Sequence, residues 1–321
     1  MKGRYLTTIL LVAGVTAVSA CGSNTGSTAS KDIRVDYAYY NPLSLVVRDQ
    51  HLLENRGYNV TWVLSAGSNK ANEGLRANGL DFGSTAGSAA LVARANGTPI
   101  KIIDVYSKPE WTALVVGKNS TVNSVAGLKG KKIAVTKGTD PYFFLLQSLA
   151  TGGLSPADVE IINLQHADGK TALERGDVDA WAGLDPFMAQ TVQQQGSRLL
   201  YRNPDFNSYG VLNVREDFSS ANPVAVQAVV NSYEEARQWA KTHPDELVAL
   251  LASQAKVTPS VAQEELQRTA LDIDPTPGDP ERAVLTSIVP IAVADADIRS
   301  DEAGRGALST IIEPKYAQRT H

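Results

Sequence analysis

Short apolar runs of strand length alternate with helix-like segments through the first half of the chain. The clearest runs cover 33–39, 59–64, 100–106 and 132–136. Runs of this length, separated by segments long enough for a helix, are typical of βαβ units. The pattern predicts an α/β fold with a mainly parallel sheet.

Helical periodicity is strongest in two segments, 142–149 and 226–233. In each, apolar residues fall at i, i+3, i+4 and i+7, beginning at Tyr142 and Val226. Because this spacing places the four residues on one helix face, we expect both faces to be buried. The sequence from Pro223 onward is mostly helical, and we expect this tail to cover a sheet.

One pattern occurs twice. Residues 75–83 and 173–181 each run from a helix through a glycine and an aspartate into a strand. A glycine just beyond a helix suits the left-handed C-terminal cap. The shared pattern predicts two similar lobes.

Extended segments near 111–117 and 208–214 lie on either side of the second copy of this pattern. We interpret them as two crossings between lobes. Lobe 1 is then discontinuous, comprising 32–113 plus 212–321, and lobe 2 comprises 114–211.

The first 21 residues read as an export signal. A basic start precedes an apolar stretch over 9–18, which is too short to span a membrane, and small residues stand before Cys21. The four residues that end at Cys21 resemble a bacterial lipobox, which implies lipid attachment to this cysteine. Plain secretion is the alternative. The Ser- and Gly-rich segment 22–31 is predicted to be a flexible tether.

Composition excludes several classes of protein. Cys21 is the single cysteine, so neither an internal disulfide nor a thiolate metal site is expected. Without the predicted signal, 28 basic and 34 acidic residues remain, a net charge of −6, which argues against nucleic-acid binding. No metal site is predicted from the scattered histidines, to which we assign surface or capping roles: His51, His166, His243 and His321.

Two turns carry candidate chemistry. Segments 83–89 and 137–142 each follow a strand, contain glycine and hydroxyl side chains, and start a helix. Unpaired amides at the positive end of a helix dipole can hold an anion. Ordinary capped βα turns would show the same residues, so both interpretations stay open here.

Aromatic residues and one aspartate stand near the same strand ends. Tyr40, Tyr142 and Trp181 fall where a cleft would be lined, and could hold an apolar ligand tail. Asp185 is interpreted as a helix cap, with a bond to a ligand amine as the alternative. The chain shows no Ser-His-Asp arrangement, Walker loop or GxGxxG motif, so we predict neither an enzyme nor a cofactor.

Four segments, 79–85, 125–138, 174–181 and 185–187, resemble the substrate-binding proteins of ABC importers for aliphatic sulfonates, taurine and nitrate. The resemblance covers 32–255. It implies a type II periplasmic-binding-protein fold, an α/β fold of two lobes that close on a ligand about a hinge. We expect hinge residues near Gly117 and Gly210.

The resemblance also implies which residues bind the ligand. Four residues match family positions that hold the anionic head of the ligand: Ser84, Thr85, Gly138 and Thr139. Trp181 and Asp185 match family positions that line the far wall of the cleft. The full predicted set is Tyr40, Asn41, Gly67, Ser84, Thr85, Ser88, Tyr106, Gly138, Thr139, Tyr142, Trp181, Asp185 and Tyr209. The chain departs from the family at 86–88 and in the bulky loop 39–42.

These observations predict a lipid-anchored, extracytoplasmic, monomeric binding protein that delivers an organosulfonate to an ABC importer permease. Taurine, nitrate or a heterocyclic vitamin precursor are alternative ligands, and a surface sensor is an alternative role. An enzyme of the thiamine-pyrimidine synthase type shares the fold. That enzyme would be expected to need an iron site rich in histidine and cysteine, which this sequence lacks.

Overall fold

The computed structural model describes residues 1, 3 and 30–317. The predicted signal beyond Met1 and Gly3, the lipidation site Cys21 and the tether before Ser30 lie outside the described residues. Within 30–317, no helix is long and apolar enough to cross a membrane.

Eleven strands form two sheets in the described part of the chain. In chain order they are β1 Asp32–Tyr37, β2 Asn59–Leu64, β3 Phe82–Ala86, β4 Ile100–Pro109, β5 Leu114–Val116, β6 Lys132–Val135, β7 Glu160–Asn163, β8 Ala180–Ala182, β9 Arg198–Tyr201, β10 Gly210–Arg215 and β11 Thr269–Ala270. The first sheet has the order β11-β4-β10-β3-β1-β2, and the second has the order β7-β6-β8-β5-β9.

Twelve α-helices pack on these sheets in the same described range. They are α1 Pro42–Asp49, α2 Ser68–Arg76, α3 Gly87–Ala95, α4 Asp140–Thr151, α5 His166–Arg175, α6 Phe187–Gln195, α7 Glu216–Ala221, α8 Pro223–Thr242, α9 Pro244–Ala255, α10 Pro259–Gln267, α11 Asp279–Ala294 and α12 Asp301–Ile311.

The prediction of a mainly parallel sheet is wrong. Five of the nine strand pairings are antiparallel, and both sheets are mixed. The reason lies in β5 and β10, which run antiparallel to both of their neighbours. Each of these strands enters its sheet from the other sheet, so no helical crossover sets its direction.

The two sheets correspond strand by strand. The order β4-β10-β3-β1-β2 matches β9-β5-β8-β6-β7, with the crossing strand second in each. The repeated sequence pattern therefore marks two similar halves. We call the half around the first sheet lobe 1 and the half around the second sheet lobe 2. The boundary positions at 113 and 212 stay predictions; β10 begins at Gly210.

The predicted helix faces are buried. All four apolar residues of the stripe on α4, from Tyr142 to Leu149, are under 9% exposed, and so are the four on α8. The C-terminal helices pack on lobe 1, with α8 against α1 and both α11 and α12 against α3. This arrangement confirms the expected role of the helical tail. The α4 stripe packs in the same apolar cluster as Leu285 of α11, so α4 also joins the lobes.

Candidate ligand site between the two lobes

Helix N-termini of the two lobes face each other. In each lobe three helices begin beyond the carboxyl ends of strands, where α/β proteins place their ligand sites. A Cβ added to Gly67, just before α2, would lie 3.0 Å from His166 Nε2 on α5. A Cβ on Gly138, just before α4, would lie 3.5 Å from Asn69 Cβ on α2. The first turn of α2 therefore meets the first turns of two lobe 2 helices.

A small cavity of about 80 Å³ lies between the lobes at this point. Lobe 1 lines it with residues from the end of β2 and from the loops after β1 and β2, and lobe 2 lines it with residues that precede or begin α5 and α6. The lining residues are Tyr39, Tyr40, Leu64, Ser65, Ala66, Gln165, His166, Ala167, Leu184, Asp185, Pro186 and Phe187. Most of this wall is apolar or aromatic, as in a pocket for the tail of a small molecule.

Three buried polar atoms near the cavity have no hydrogen-bond partner. They are Asn69 Oδ1, Gln165 Oε1 and His166 Nε2. Buried polar atoms in folded proteins are nearly always paired, so an unpaired cluster beside a cavity points to a ligand. A larger depression of about 650 Å³ between α4 and α11 is mainly apolar, and none of its described lining atoms is in this unpaired state.

His166 contradicts the predicted surface or capping role. Its side chain is 1% exposed, and burial lowers its pKa to about 3. His51 is exposed and His243 is half-buried, while His321 lies outside the described residues. A sequence signal for His166 did exist: the register that aligns 75–83 with 173–181 also pairs His166 with Ser68, at the start of α2.

The predicted residues of the first lobe form an internal network. Ser84 Oγ donates to Asp36 Oδ1 at 2.9 Å and accepts from Asn41 Nδ2 at 2.7 Å, while the Tyr40 hydroxyl donates to the Ser84 carbonyl at 2.9 Å. Thr85 Oγ1 accepts from Asn213 Nδ2 at 2.8 Å. These hydroxyls are bonded within lobe 1, so their role at an anionic head stays a prediction. Burial raises the pKa of Asp36 to about 7.

Ser88 belongs to a different network, which joins the lobes. Its Oγ donates to Asp140 Oδ1 at 2.5 Å across the interface. Asp140 also accepts from Trp111 Nε1 at 2.9 Å and from the amide and hydroxyl of Ser208, both at 2.8 Å. Burial raises the pKa of Asp140, and these donors oppose the rise. Trp111 and Ser208 stand next to the two chain crossings, so Asp140 ties both crossings to α4.

The lobe 2 turn before α4 has the predicted form. Gly138 has a φ of +74°, which favours glycine. Thr139 occupies the N-cap position, but its Oγ1 donates to the Thr136 carbonyl at 2.6 Å instead of capping the helix. The amides at the start of α4 thus have no Thr139 side-chain partner.

The remaining aromatic residues lie away from the cavity. The Tyr142 hydroxyl donates to Asp295 Oδ2 at 2.5 Å, which joins α4 to the end of α11, and Trp181 is packed inside lobe 2. Tyr106 is in the core of lobe 1. Tyr209 is half-buried with Lys108 Nζ 5.7 Å from its ring centre. None of these four lines the cavity in the described structure.

Asp185 caps α6 and also joins the lobes. Its Oδ1 accepts from the Ala189 amide at 2.9 Å, and its two oxygens accept from Arg268 Nε and Nη2 at 2.9 and 3.0 Å. Burial raises the pKa of Asp185 to about 6, while Arg268 opposes the rise. With its carboxylate paired, Asp185 lines the cavity without presenting a free negative charge.

Solved structures with the same architecture define the class of protein. The alkanesulfonate-binding protein SsuA of Xanthomonas axonopodis pv. citri, bound to MOPS, superposes with a TM-score of 0.79 at 23% identity, covering 89% of this chain and 99% of that one. The aliphatic sulphonate-binding protein SsuA of Escherichia coli gives 0.75 at 24% identity, covering 89% and 93%. The fold is therefore that of the two-lobed periplasmic binding proteins.

The sequence matches the family described as NMT1/THI5 like over residues 45–247, and the chain belongs to this family. A Bacillus subtilis (strain 168) relative that is named for binding aliphatic sulfonates is 31% identical over 81% of this chain and 82% of its own length. The taurine-binding periplasmic protein of Escherichia coli (strain K12) is 28% identical over 66% and 68%.

Proposed function

We propose that the protein captures an organosulfonate between its lobes, outside the cytoplasm, and delivers it to an ABC importer permease. The observation that carries this proposal is the meeting of the α2 N-terminus with the turn at Gly138 beside an apolar cavity. A sulfonate is a permanent anion with three acceptor oxygens. The free amides at the starts of α2 and α4 would hold it, and the cavity would hold its tail.

The relatives support the ligand class and the transport role. Both the Bacillus subtilis relative and the solved SsuA proteins are named for sulfonate binding. The finer parts of the proposal are a monomer, anchored by lipid on Cys21, with Gly138 and Thr139 at the sulfonate head and Gly67 beside another part of the ligand. Ser84 and Thr85 are predicted to hold the head; because their hydroxyls are bonded within lobe 1, we propose that they fix the backbone around it.

The binding free energy expected for such a site fits a transport role. Four to six hydrogen bonds to a charged group, at about 1.5 kcal/mol each, total about 6–9 kcal/mol. A micromolar dissociation constant corresponds to about 8 kcal/mol. The ligand bridges both lobes only when they are closed, so binding stabilises the closed state. Micromolar affinity also permits release to a permease.

A thermal-shift screen of the purified protein tests the proposal. The compounds are alkyl and aryl sulfonates, taurine, nitrate, sulfate and thiamine precursors. A ligand at about 100 times its dissociation constant stabilises the native state by about 2.7 kcal/mol, which raises the melting temperature by several degrees. We expect shifts with sulfonates and none with sulfate. If only heterocycles or nitrate shift the melting temperature, that compound replaces the sulfonate as the proposed ligand. If no compound shifts it, a role as a surface sensor is favoured.

A further inference from the structure

His166 has one ring nitrogen fixed by the protein and the other facing the site. Nδ1 lies 3.1 Å from Thr136 Oγ1, and this hydroxyl donates to the Leu164 carbonyl at 2.7 Å. Because the hydroxyl has a single hydrogen, which that carbonyl takes, Nδ1 must carry the proton and donate to Thr136. The neutral ring therefore presents an unprotonated Nε2 with a lone pair.

That lone pair points into the interlobe site. Nε2 is buried without a partner, and it lies 3.0 Å from the position that a Cβ of Gly67 would take. His166 also lines the cavity. An acceptor at this place repels a sulfonate oxygen and attracts an N–H or O–H group. The head must therefore lie elsewhere along the α2 and α4 amides.

The surroundings keep His166 neutral. His166 is the first residue of α5, and the start of α2 faces it, so the positive ends of two helix dipoles oppose a positive ring. The carboxylate on the cavity wall, Asp185, is already paired with Arg268. Burial lowers the pKa of His166 to about 3, so the ring is neutral at pH 7.

The neighbouring amides cannot settle the selectivity by themselves. Asn69 and Gln165 each have an unpaired oxygen, but an amide side chain can present either its oxygen or its nitrogen to a ligand. The Thr136 contact gives His166 no such freedom. The fixed acceptor at the boundary between the head and the tail pocket is therefore His166.

We propose that His166 Nε2 is a specificity determinant that selects sulfonates bearing a neutral hydrogen-bond donor, such as a hydroxyl group, on the carbon chain. This inference rests on the proposed sulfonate site. A methyl group in place of the hydroxyl would leave a buried acceptor unpaired, which is the condition under which binding sites discriminate most strongly.

Isosteric ligand pairs test the inference by calorimetry. The pairs are 2-hydroxyethanesulfonate with propane-1-sulfonate, and 3-hydroxypropane-1-sulfonate with butane-1-sulfonate. We expect at least one hydroxylated member to bind about tenfold or more tightly than its partner. In His166→Asn, the shorter amide keeps the contact with Thr136 and withdraws the Nε2 acceptor, so the ratio should fall below about threefold. His166→Gln places an amide at the Nε2 position and should restore the preference.

The outcomes separate this inference from the proposed function. If the native protein binds neither member of any pair, the sulfonate site fails and the inference fails with it. If both members bind equally, the site stands and His166 is not a selector. A preference that persists in His166→Asn also overturns the inference, as does the uptake of about one proton on binding, measured in buffers of different ionisation enthalpy. Should His166→Asn not fold, equal binding of the paired ligands by the native protein, or the uptake of a proton on binding, would still overturn the inference.

Discussion

Asp185 on lobe 2 and Arg268 on lobe 1 form a bidentate ion pair between the lobes, with N–O distances of 2.9 and 3.0 Å. The carboxylate side chain is 1% exposed and the guanidinium 9%. A second carboxylate, Glu264, lies 3.0 Å from Arg268 Nη1. Arg268 thus keeps a partner when Asp185 is neutralised, while its ion pair with lobe 2 is lost.

Asp185→Asn should reduce the free energy of unfolding by about 2–4 kcal/mol. Removing one partner of a buried pair costs about 3–5 kcal/mol, and Glu264 offsets part of that cost. The measurement is urea unfolding at pH 8, where the native carboxylate is ionised.

Asp301→Asn is the matched control, because Asp301 pairs with Arg305 on the exposed face of α12. Exposed pairs contribute about 0–1 kcal/mol, so the control should change stability by less than about 1 kcal/mol. If both variants lose a similar amount of unfolding free energy, the interlobe pair contributes no more to stability than an exposed pair.

Asp140→Asn should destabilise the protein by about 2–4 kcal/mol. The Trp111 and Ser208 N–H donors both meet Oδ2, so an asparagine would turn its NH₂ toward the Ser88 and Ser208 hydroxyls; these hydroxyls lose their acceptor, and all four bonds lose the negative charge of the carboxylate. Trp111 loses a charged acceptor, so its fluorescence should change as well.

Asp168→Asn controls for the loss of a negative charge in the first turn of a lobe 2 helix, since Asp168 is exposed in the first turn of α5. The expected change is about 0.5 kcal/mol. An Asp140 variant as stable as this control would mean that the network does not hold the crossings.

Local sequence patterns predict the elements and the two lobes because helix faces and repeated turns depend on residues close in the chain. The stripe on α4 and the repeat at 75–83 and 173–181 are examples. Strand direction is different. β5 and β10 are antiparallel because the chain crosses between sheets, and no residue within either strand encodes that crossing.

The candidate site was harder to predict. Asp185 and Arg268 are 83 residues apart and have no periodic relation. His166 has no other histidine or acidic residue at the spacing of a metal site, so the sequence did not mark it as functional. Hydroxyl-rich turns were the visible signal, yet Ser84 and Thr85 are bonded internally.

Gly67→Ala should weaken sulfonate binding by about tenfold or more. The added Cβ would lie 2.8 Å from Asn69 Oδ1 and 3.0 Å from His166 Nε2, where the ligand is proposed to sit. The φ of Gly67 is 168°, which is extended backbone that any residue adopts, so the substitution adds no backbone strain.

Gly306→Ala provides the comparison for this variant, since nothing lies within 4 Å of its added Cβ and Gly306 is exposed on the outer face of α12. It should leave affinity unchanged and raise stability by up to about 1 kcal/mol. Affinity that is unchanged in Gly67→Ala as well would exclude the α2 N-terminus from the site.

His166→Asn should make the protein less sensitive to acid. The pKa of His166 falls from its ordinary 6.5 to about 3 on burial, so the native state binds fewer protons than the unfolded state between these values. The stability that neutral His166 contributes is therefore complete above pH 6.5 and is lost as the pH falls. The slope approaches about 1.4 kcal/mol per pH unit, or about 2–3 kcal/mol between pH 7.5 and 4.5.

The quantity to compare is the change in unfolding free energy between pH 7.5 and 4.5, native against His166→Asn, by urea unfolding. Burial raises the pKa of Asp36 and of Asp104 to about 7, and both groups act in the opposite direction. They are present in both proteins, so their effects cancel in the difference. His51→Asn removes an exposed histidine at a φ of +52°, which asparagine tolerates. The free energy of unfolding that His51→Asn loses between pH 7.5 and 4.5 should match the loss in the native protein. If His166→Asn also loses as much as the native protein, the pKa of His166 is not lowered by burial.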